Sequence, residues 1–121
     1  MPYTRRSLRA ACYSALIDPA FRLRIGKLGD CRARLVQKNG LSKVTVDPHQ
    51  SSMIEGAVHE ALHIVLDVDL TRLFSRHERL PSLWENVLDV LEGIIANDVL
   101  SDPGETERWR SAIDRKLSAT S

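Results

Sequence analysis

The run His59-Glu60-Ala61-Leu62-His63 is the part of this sequence best suited to chemistry. Side chains four positions apart lie one turn apart on the same face of a helix, so both imidazoles can reach a single tetrahedral zinc ion. Glu60 follows His59 at about 100° around the helix, which keeps it off the metal but close to it. The spacing therefore predicts a zinc site in which Glu60 is the general base for a water activated by the metal.

A catalytic zinc ion usually has three protein ligands, so a third must come from elsewhere in the chain. Glu85, Asp89 and Glu92 form one stripe on a second predicted helix, which can pack antiparallel to the first. Two of these acids have alternative roles: Ser82 and Glu85 have the spacing of a capping box, and Glu92 can be an exposed helix acid. Spacing alone leaves the third ligand open.

The histidine run is followed, after 21 residues, by Glu85-Asn86-Val87-Leu88-Asp89. This arrangement resembles the HExxH and ExxxD motifs of the gluzincin clan of zinc peptidases. From the strand at residue 44 to the helix end at residue 100, the layout is also similar to the minimal, minigluzincin-like proteins of phage and prophage genes. The larger gluzincins have a longer upstream sheet and a second subdomain, for which this chain has no room.

The resemblance implies a zincin-like fold and hydrolysis of a peptide bond. It implies that His59, His63 and Glu85 bind Zn²⁺ and that Glu60 is catalytic. It also implies that Asp89 orients His59, which agrees with the carboxylate partners that zinc-bound histidines commonly have.

Hydrophobic periodicity predicts the elements that must hold these residues in place. The predicted helices span residues 4–17, about 52–66, about 81–100 and about 105–117, with a short one near 69–74. Apolar and arginine residues alternate over 21–25 and 31–35, which is the pattern of half-buried strands. Asn39-Gly40 predicts a tight hairpin turn into a third strand at 44–46. We expect an α+β fold in which a small antiparallel sheet follows the N-terminal helix and precedes the HExxH helix.

Three further expectations concern the surroundings of the metal site. Gly56 lies one turn before His59 on the same helix face and leaves room for something to approach. The strand at 43–47 is expected to be an edge strand, able to hold an extended peptide substrate by β-augmentation. His49, His77, Tyr3 and Tyr13 are spare residues that could stabilise a transition state opposite the metal.

The chain has 121 residues and a formal net charge of +1, which is consistent with one domain over residues 1–121. No apolar run approaches the ~20 residues of a membrane span, and no signal peptide is evident. Cys12 and Cys31 match no disulfide scaffold or metal motif, so we expect ordinary thiols in a cytoplasmic protein.

Charge is divided unevenly along the chain: residues 1–50 carry +7 and residues 51–121 carry −6. Neutralisation between the two parts is the simplest explanation, and nucleic-acid binding is not expected because no recognition motif accompanies the charge. Arg22, Arg24, Arg32 and Arg34 are predicted to form one outward face of the sheet, suited to an acidic partner.

A peptide or protein substrate is the expected partner of the zinc site. The alternative function is a zinc-binding module that acts by partner contact without catalysis.

Overall fold

A computed structural model describes residues 4–29, 31, 33–50, 52–66 and 80–120 of the chain. The described residues form four helices and three strands, in the order α1 (Arg5–Ile17), β1 (Phe21–Ile25), β2 (Ala33–Lys38), β3 (Leu41–Val46), α2 (Met53–Val65), α3 (Leu80–Leu100) and α4 (Pro103–Thr120). The α+β class and the order of elements are as predicted. The short helix predicted near 69–74 lies outside the described residues.

The start of helix α1 is fixed by capping hydrogen bonds between Thr4 and Ser7. The Thr4 hydroxyl accepts a hydrogen bond from the Ser7 backbone N–H, and the Ser7 hydroxyl accepts one from the Thr4 N–H in return. This reciprocal capping satisfies two backbone donors that a helix start otherwise leaves unpaired. Leu8, Cys12 and Leu16 then form the buried stripe of the helix, as their spacing predicts.

Strands β2 and β3 form the predicted hairpin. Asn39 and Gly40 both have positive φ, 54° and 75°, as the two-residue turn of a hairpin requires. The strands pair antiparallel, with Leu35 opposite Val44. The turn chemistry therefore fixes the register of this half of the sheet.

Strand β1 differs from the prediction, because it pairs in parallel with β3 and not antiparallel with its neighbour in sequence. The sheet is mixed, with the strand order β1-β3-β2. Phe21 and Leu23 of β1 and Val44 and Val46 of β3 are all buried, whereas β2 has no fully buried residue. The two strands that bury apolar residues fully thus lie side by side.

The central place of β3 overturns the expectation that residues 43–47 are an edge strand. Its neighbours are β1 on one side and β2 on the other, so its backbone groups are already paired. The outer strands of the described sheet are β1 and β2.

Helix α2 packs against the inner face of the sheet at unusually close range. A Cβ atom added to Gly56 would lie 2.7 Å from Cγ1 of Val46. The room that Gly56 provides is used by β3, which approaches closely as expected of something at this position, and Gly56 also lines the cleft described below. Close approach joins α2 and the sheet into one core, whose buried members include Phe21, Leu23, Val44, Val46, Ala57, Val58, Ala61 and Leu62.

Helices α3 and α4 complete the core around α2. Trp109 is fully buried and meets the Tyr13 ring edge-on, with 5.8 Å between ring centroids. Arg9 of α1 lies 2.8 Å from Asp98 and 3.8 Å from Glu105, so the basic and acidic parts of the chain do neutralise each other here. None of the helices in the described part of the chain combines the length and apolar content that a membrane crossing requires.

Candidate metal centre

Helix α2 presents His59 and His63 on one face. The helix is capped by the Ser52 hydroxyl, which accepts a hydrogen bond from the Glu55 backbone N–H at 3.1 Å. Its buried stripe against the sheet sets its rotation, and the two histidines are turned away from the core, each half-buried. Their ring centroids are 5.0 Å apart and their planes meet at 66°.

Glu85 of α3 approaches both histidines. One of its carboxylate oxygens, Oε1, lies 3.1 Å from Nε2 of His63, and the other, Oε2, lies 3.7 Å from Nε2 of His59. The three residues offer ligand atoms that all lie within 4.8 Å of one another. Since Ser82 lies inside α3, which begins at Leu80, it is not the N-cap that would have turned Glu85 back to the backbone.

The other ring nitrogen of His59 faces two more acids. Nδ1 lies 3.3 Å from Oε1 of Glu92 and 3.7 Å from Oδ1 of Asp89. These three residues form a second grouping that could hold a metal ion. His59 faces Asp89 and Glu92, whereas His63, which is later in α2, faces Glu85, which is earlier in α3. The two helices therefore run antiparallel, as predicted.

The chemistry of the donors distinguishes the two groupings. Two imidazole nitrogens and one carboxylate, from His59, His63 and Glu85, are a ligand set that suits zinc. The second grouping supplies one nitrogen and two carboxylates, and it shares His59 with the first. A metal-bound histidine commonly uses its second nitrogen to contact a carboxylate, so Asp89 and Glu92 fit a supporting role better than a direct one.

The Nδ1 atom of His59 is buried and makes no hydrogen bond with any described group. The nearest carboxylate is that of Glu92, whose Oε1 lies 3.3 Å away, and only 5% of the Glu92 surface is exposed. A buried polar atom without a partner is costly, which makes this imidazole an unusual feature of the site. Burial lowers the pKa of His59, but the carboxylates of Glu92, Glu60 and Glu85 together outweigh it and raise the pKa overall. The site is thus strongly anionic and attracts positive charge.

Glu60 lies on the same side of His59 as Glu85. Its Oε1 is 3.9 Å from Nε2 of His59, and only 3% of the residue is exposed. Burial raises the pKa of Glu60 to about 7, with His59 opposing the shift and Glu85 and Glu92 adding to it. A carboxylate with this pKa can both accept and release a proton near neutral pH.

These side chains line one cleft of about 590 Å³ between α2, α3 and the sheet edge. The remaining wall comes from Gly56 and from residues that the sequence did not assign to the site: Cys31, Ala33, Arg34, Leu35 and Gln50. The edge position of β2 brings Ala33, Arg34 and Leu35 to the cleft. Of the spare residues considered above, Tyr13 packs on Trp109, His49 is exposed and does not line the cleft, and Tyr3 and His77 lie outside the described residues.

Asp47 organises the turn that carries Gln50 into the cleft. Its carboxylate accepts hydrogen bonds from the backbone N–H groups of Leu28 and His49 and from the Gln50 side chain, each at 3.0 Å. The Gln50 amide also donates to the Leu28 carbonyl. The Leu28 hydrogen bond is the main reason that the pKa of Asp47 lies below its ordinary value, with His49 and Gln50 contributing against the effect of burial.

Comparisons of the chain with known protein families, curated proteins and solved structures found no match.

Proposed function

We propose that this protein is a zinc-dependent peptidase of the cytoplasm that hydrolyses a peptide bond of a peptide or protein substrate. The observation that carries the proposal is the meeting of His59, His63 and Glu85 beside the buried carboxyl group of Glu60 in one cleft. Metal-ligating and proton-transferring groups are thus available at one point. This combination suits metal-assisted hydrolysis of an amide.

Zn²⁺ fits the residues present. His59, His63 and Glu85 would hold it, and the anionic surroundings described above would favour a cation. When bound, zinc supplies a Lewis acid that activates water for attack on a carbonyl group. Glu92 and Asp89 would fix the orientation of His59 through its Nδ1 atom.

Glu60 would transfer a proton from the attacking water to the leaving amine. As the attacking water adds its oxygen to the carbonyl carbon, Glu60 accepts one proton from it. The same proton then passes to the nitrogen of the departing amine as the carbon–nitrogen bond breaks. The pKa of about 7 suits both transfers at neutral pH.

The substrate would lie along β2. This strand is an outer strand of the described sheet, and its residues Ala33, Arg34 and Leu35 line the cleft together with the histidines. An extended peptide can add to such an edge through backbone hydrogen bonds, which would bring its carbonyl groups past Glu60. The edge strand proposed for substrate is therefore β2, in place of β3.

The test combines metal content with peptide cleavage. We expect one zinc per chain after purification without chelator, and cleavage of members of a peptide library detected by mass spectrometry. Glu60→Gln should keep the zinc and lower turnover by about 10²–10⁴-fold. Zinc binding without Glu60-dependent cleavage would favour the non-catalytic binding module, and a wild-type protein that takes up no zinc would exclude both.

A further inference from the structure

The outer face of the sheet is a second surface with a distinct composition. Residues alternate along each strand, so Phe21 and Leu23 point into the core while Arg22 and Arg24 point outward. Lys43 of β3 lies directly beside Arg22 in the sheet. All three outward cations are exposed. This group, with the neighbouring Arg34 of β2, is called the cationic face below.

Grouping the positive charges on the cationic face costs electrostatic free energy. Neighbouring strands lie about 4.8 Å apart, so the side chains of Arg22 and Lys43 start close together and repel each other. Among the described residues, no carboxylate forms an ion pair with Arg22, Arg24 or Lys43, although Arg9 finds two acids elsewhere. An unbalanced group of this kind is suited to binding an anion supplied from outside the chain.

The positive charge of Arg22 also affects a residue outside its own strand. Burial lowers the pKa of Lys116 on α4; Asp18 opposes this shift and Arg22 adds to it. The positive region therefore extends from the sheet towards the end of α4. It is wider than the cationic face itself.

The cationic face is also concave and partly apolar. It borders a groove of about 680 Å³ whose lining includes Val36 and Leu41 as well as the cations. Val36 is a β-branched side chain left 50% exposed on an edge strand. Anion recognition alone does not need such apolar contacts, whereas a peptide with both acidic and apolar side chains uses both.

We propose that the cationic face binds an acidic segment of a partner protein, in which Asp or Glu residues alternate with apolar ones. The outward residues of the three described strands include no aromatic ring, so the face lacks the stacking platform of proteins that bind single-stranded nucleic acid. Alternating acidic and apolar side chains match the cations and the apolar floor of the groove. The proposal does not depend on the metal site, and binding is expected with or without zinc.

The probe is a short fluorescein-labelled peptide in which glutamate alternates with valine, and the measurement is fluorescence anisotropy against the full chain. We expect saturable binding that weakens with added salt, because exposed charges are screened. Arg22→Glu should weaken binding about tenfold or more. The matched control is Arg6→Glu, which makes the same charge change on the exposed part of α1 and should leave affinity within about twofold.

Misfolding is separated from loss of binding by thermal unfolding of the same variants. Arg22→Glu places opposite charges side by side with Lys43, so its melting temperature should equal or exceed that of the wild type. Lower affinity in a protein of undiminished stability supports the proposal. Unchanged peptide affinity in Arg22→Glu, equal weakening by Arg6→Glu, or tighter binding of a duplex DNA of equal charge would each overturn it.

Discussion

The carboxylate of Glu92 lies 3.3 Å from Nδ1 of His59, nearer than the 3.7 Å of Asp89. Glu92 is also buried, whereas 53% of the Asp89 side chain is exposed. Resemblance to the gluzincins assigns the orienting role to Asp89. The carboxylate of Glu92, which is nearer and buried, interacts more strongly with the imidazole of His59, because water screens the charge of Asp89.

Glu92→Gln should therefore weaken zinc binding more than Asp89→Asn. We expect a loss of about 10–100-fold in affinity for Glu92→Gln, the range typical of carboxylates that support a histidine ligand. Both variants keep the shape of the side chain and differ in which carboxylate is lost. Competition with a zinc-chelating dye measures the affinities, and a larger loss in Asp89→Asn would restore the assignment made by resemblance.

Glu85→Ala should lose zinc more completely than Glu92→Gln. Glu85 is the α3 acid that lies near Nε2 of both histidines, so its removal takes away a proposed direct ligand. Atomic absorption of the purified variant should show well under one zinc per chain. Glu107→Ala, an exposed acid of α4, is the control for loss of charge. A variant of Glu85 that retains full zinc occupancy would contradict the proposed ligand set.

Gly56→Ala should destabilise the protein even though alanine favours helices. The added methyl group would lie 2.7 Å from Cγ1 and 2.9 Å from Cγ2 of Val46, which is fully buried and stiff. Overpacking of this kind costs about 1–3 kcal/mol in the free energy of unfolding. Urea denaturation provides the measurement.

Gly93 offers the matched control for this effect. It lies exposed inside α3, and nothing stands within 4 Å of an added Cβ atom. Gly93→Ala should therefore stabilise the protein by about 0.5–1 kcal/mol through helix propensity. Opposite signs at the two glycines are expected, and two stabilising substitutions would mean that α2 can move away from the sheet without loss.

In the Asp47→Asn variant, the free energy of unfolding should depend less on pH in the acid range. The pKa of Asp47 in the folded protein lies below its ordinary value of 3.8, so the unfolded chain takes up its proton first as pH falls. The stabilisation is complete above the ordinary pKa and is lost as pH falls through the lower, folded value. Urea denaturation of the metal-free protein at about pH 7 and about pH 3 should show a smaller loss of stability in Asp47→Asn.

The control for this prediction is Asp114→Asn, an exposed acid on α4. It should leave the acid-dependent loss of stability close to that of the wild type. If Asp47→Asn follows the wild type equally closely, the hydrogen bonds from Leu28 and His49 do not stabilise the charged carboxylate.

Local signals in the sequence determined much of this protein. The capped start of α2, the hairpin turn at Asn39 and Gly40, and the stripe of Leu8, Cys12 and Leu16 each arise from residues within a few positions of one another. The placement of His59 and His63 on one face follows from the helical repeat alone. Such features are readable because their interactions are local.

Tertiary structure decided which distant residues meet. Spacing on α3 put Glu85, Asp89 and Glu92 on one stripe, but the antiparallel packing of α2 and α3 directs Glu85 to Nε2 of His59 and Glu92 to Nδ1. The position of β3 between β1 and β2 made β2 an outer strand of the described sheet, beside the cleft. Both outcomes depend on how buried surfaces pack across the whole chain, and no short stretch of sequence contains that information.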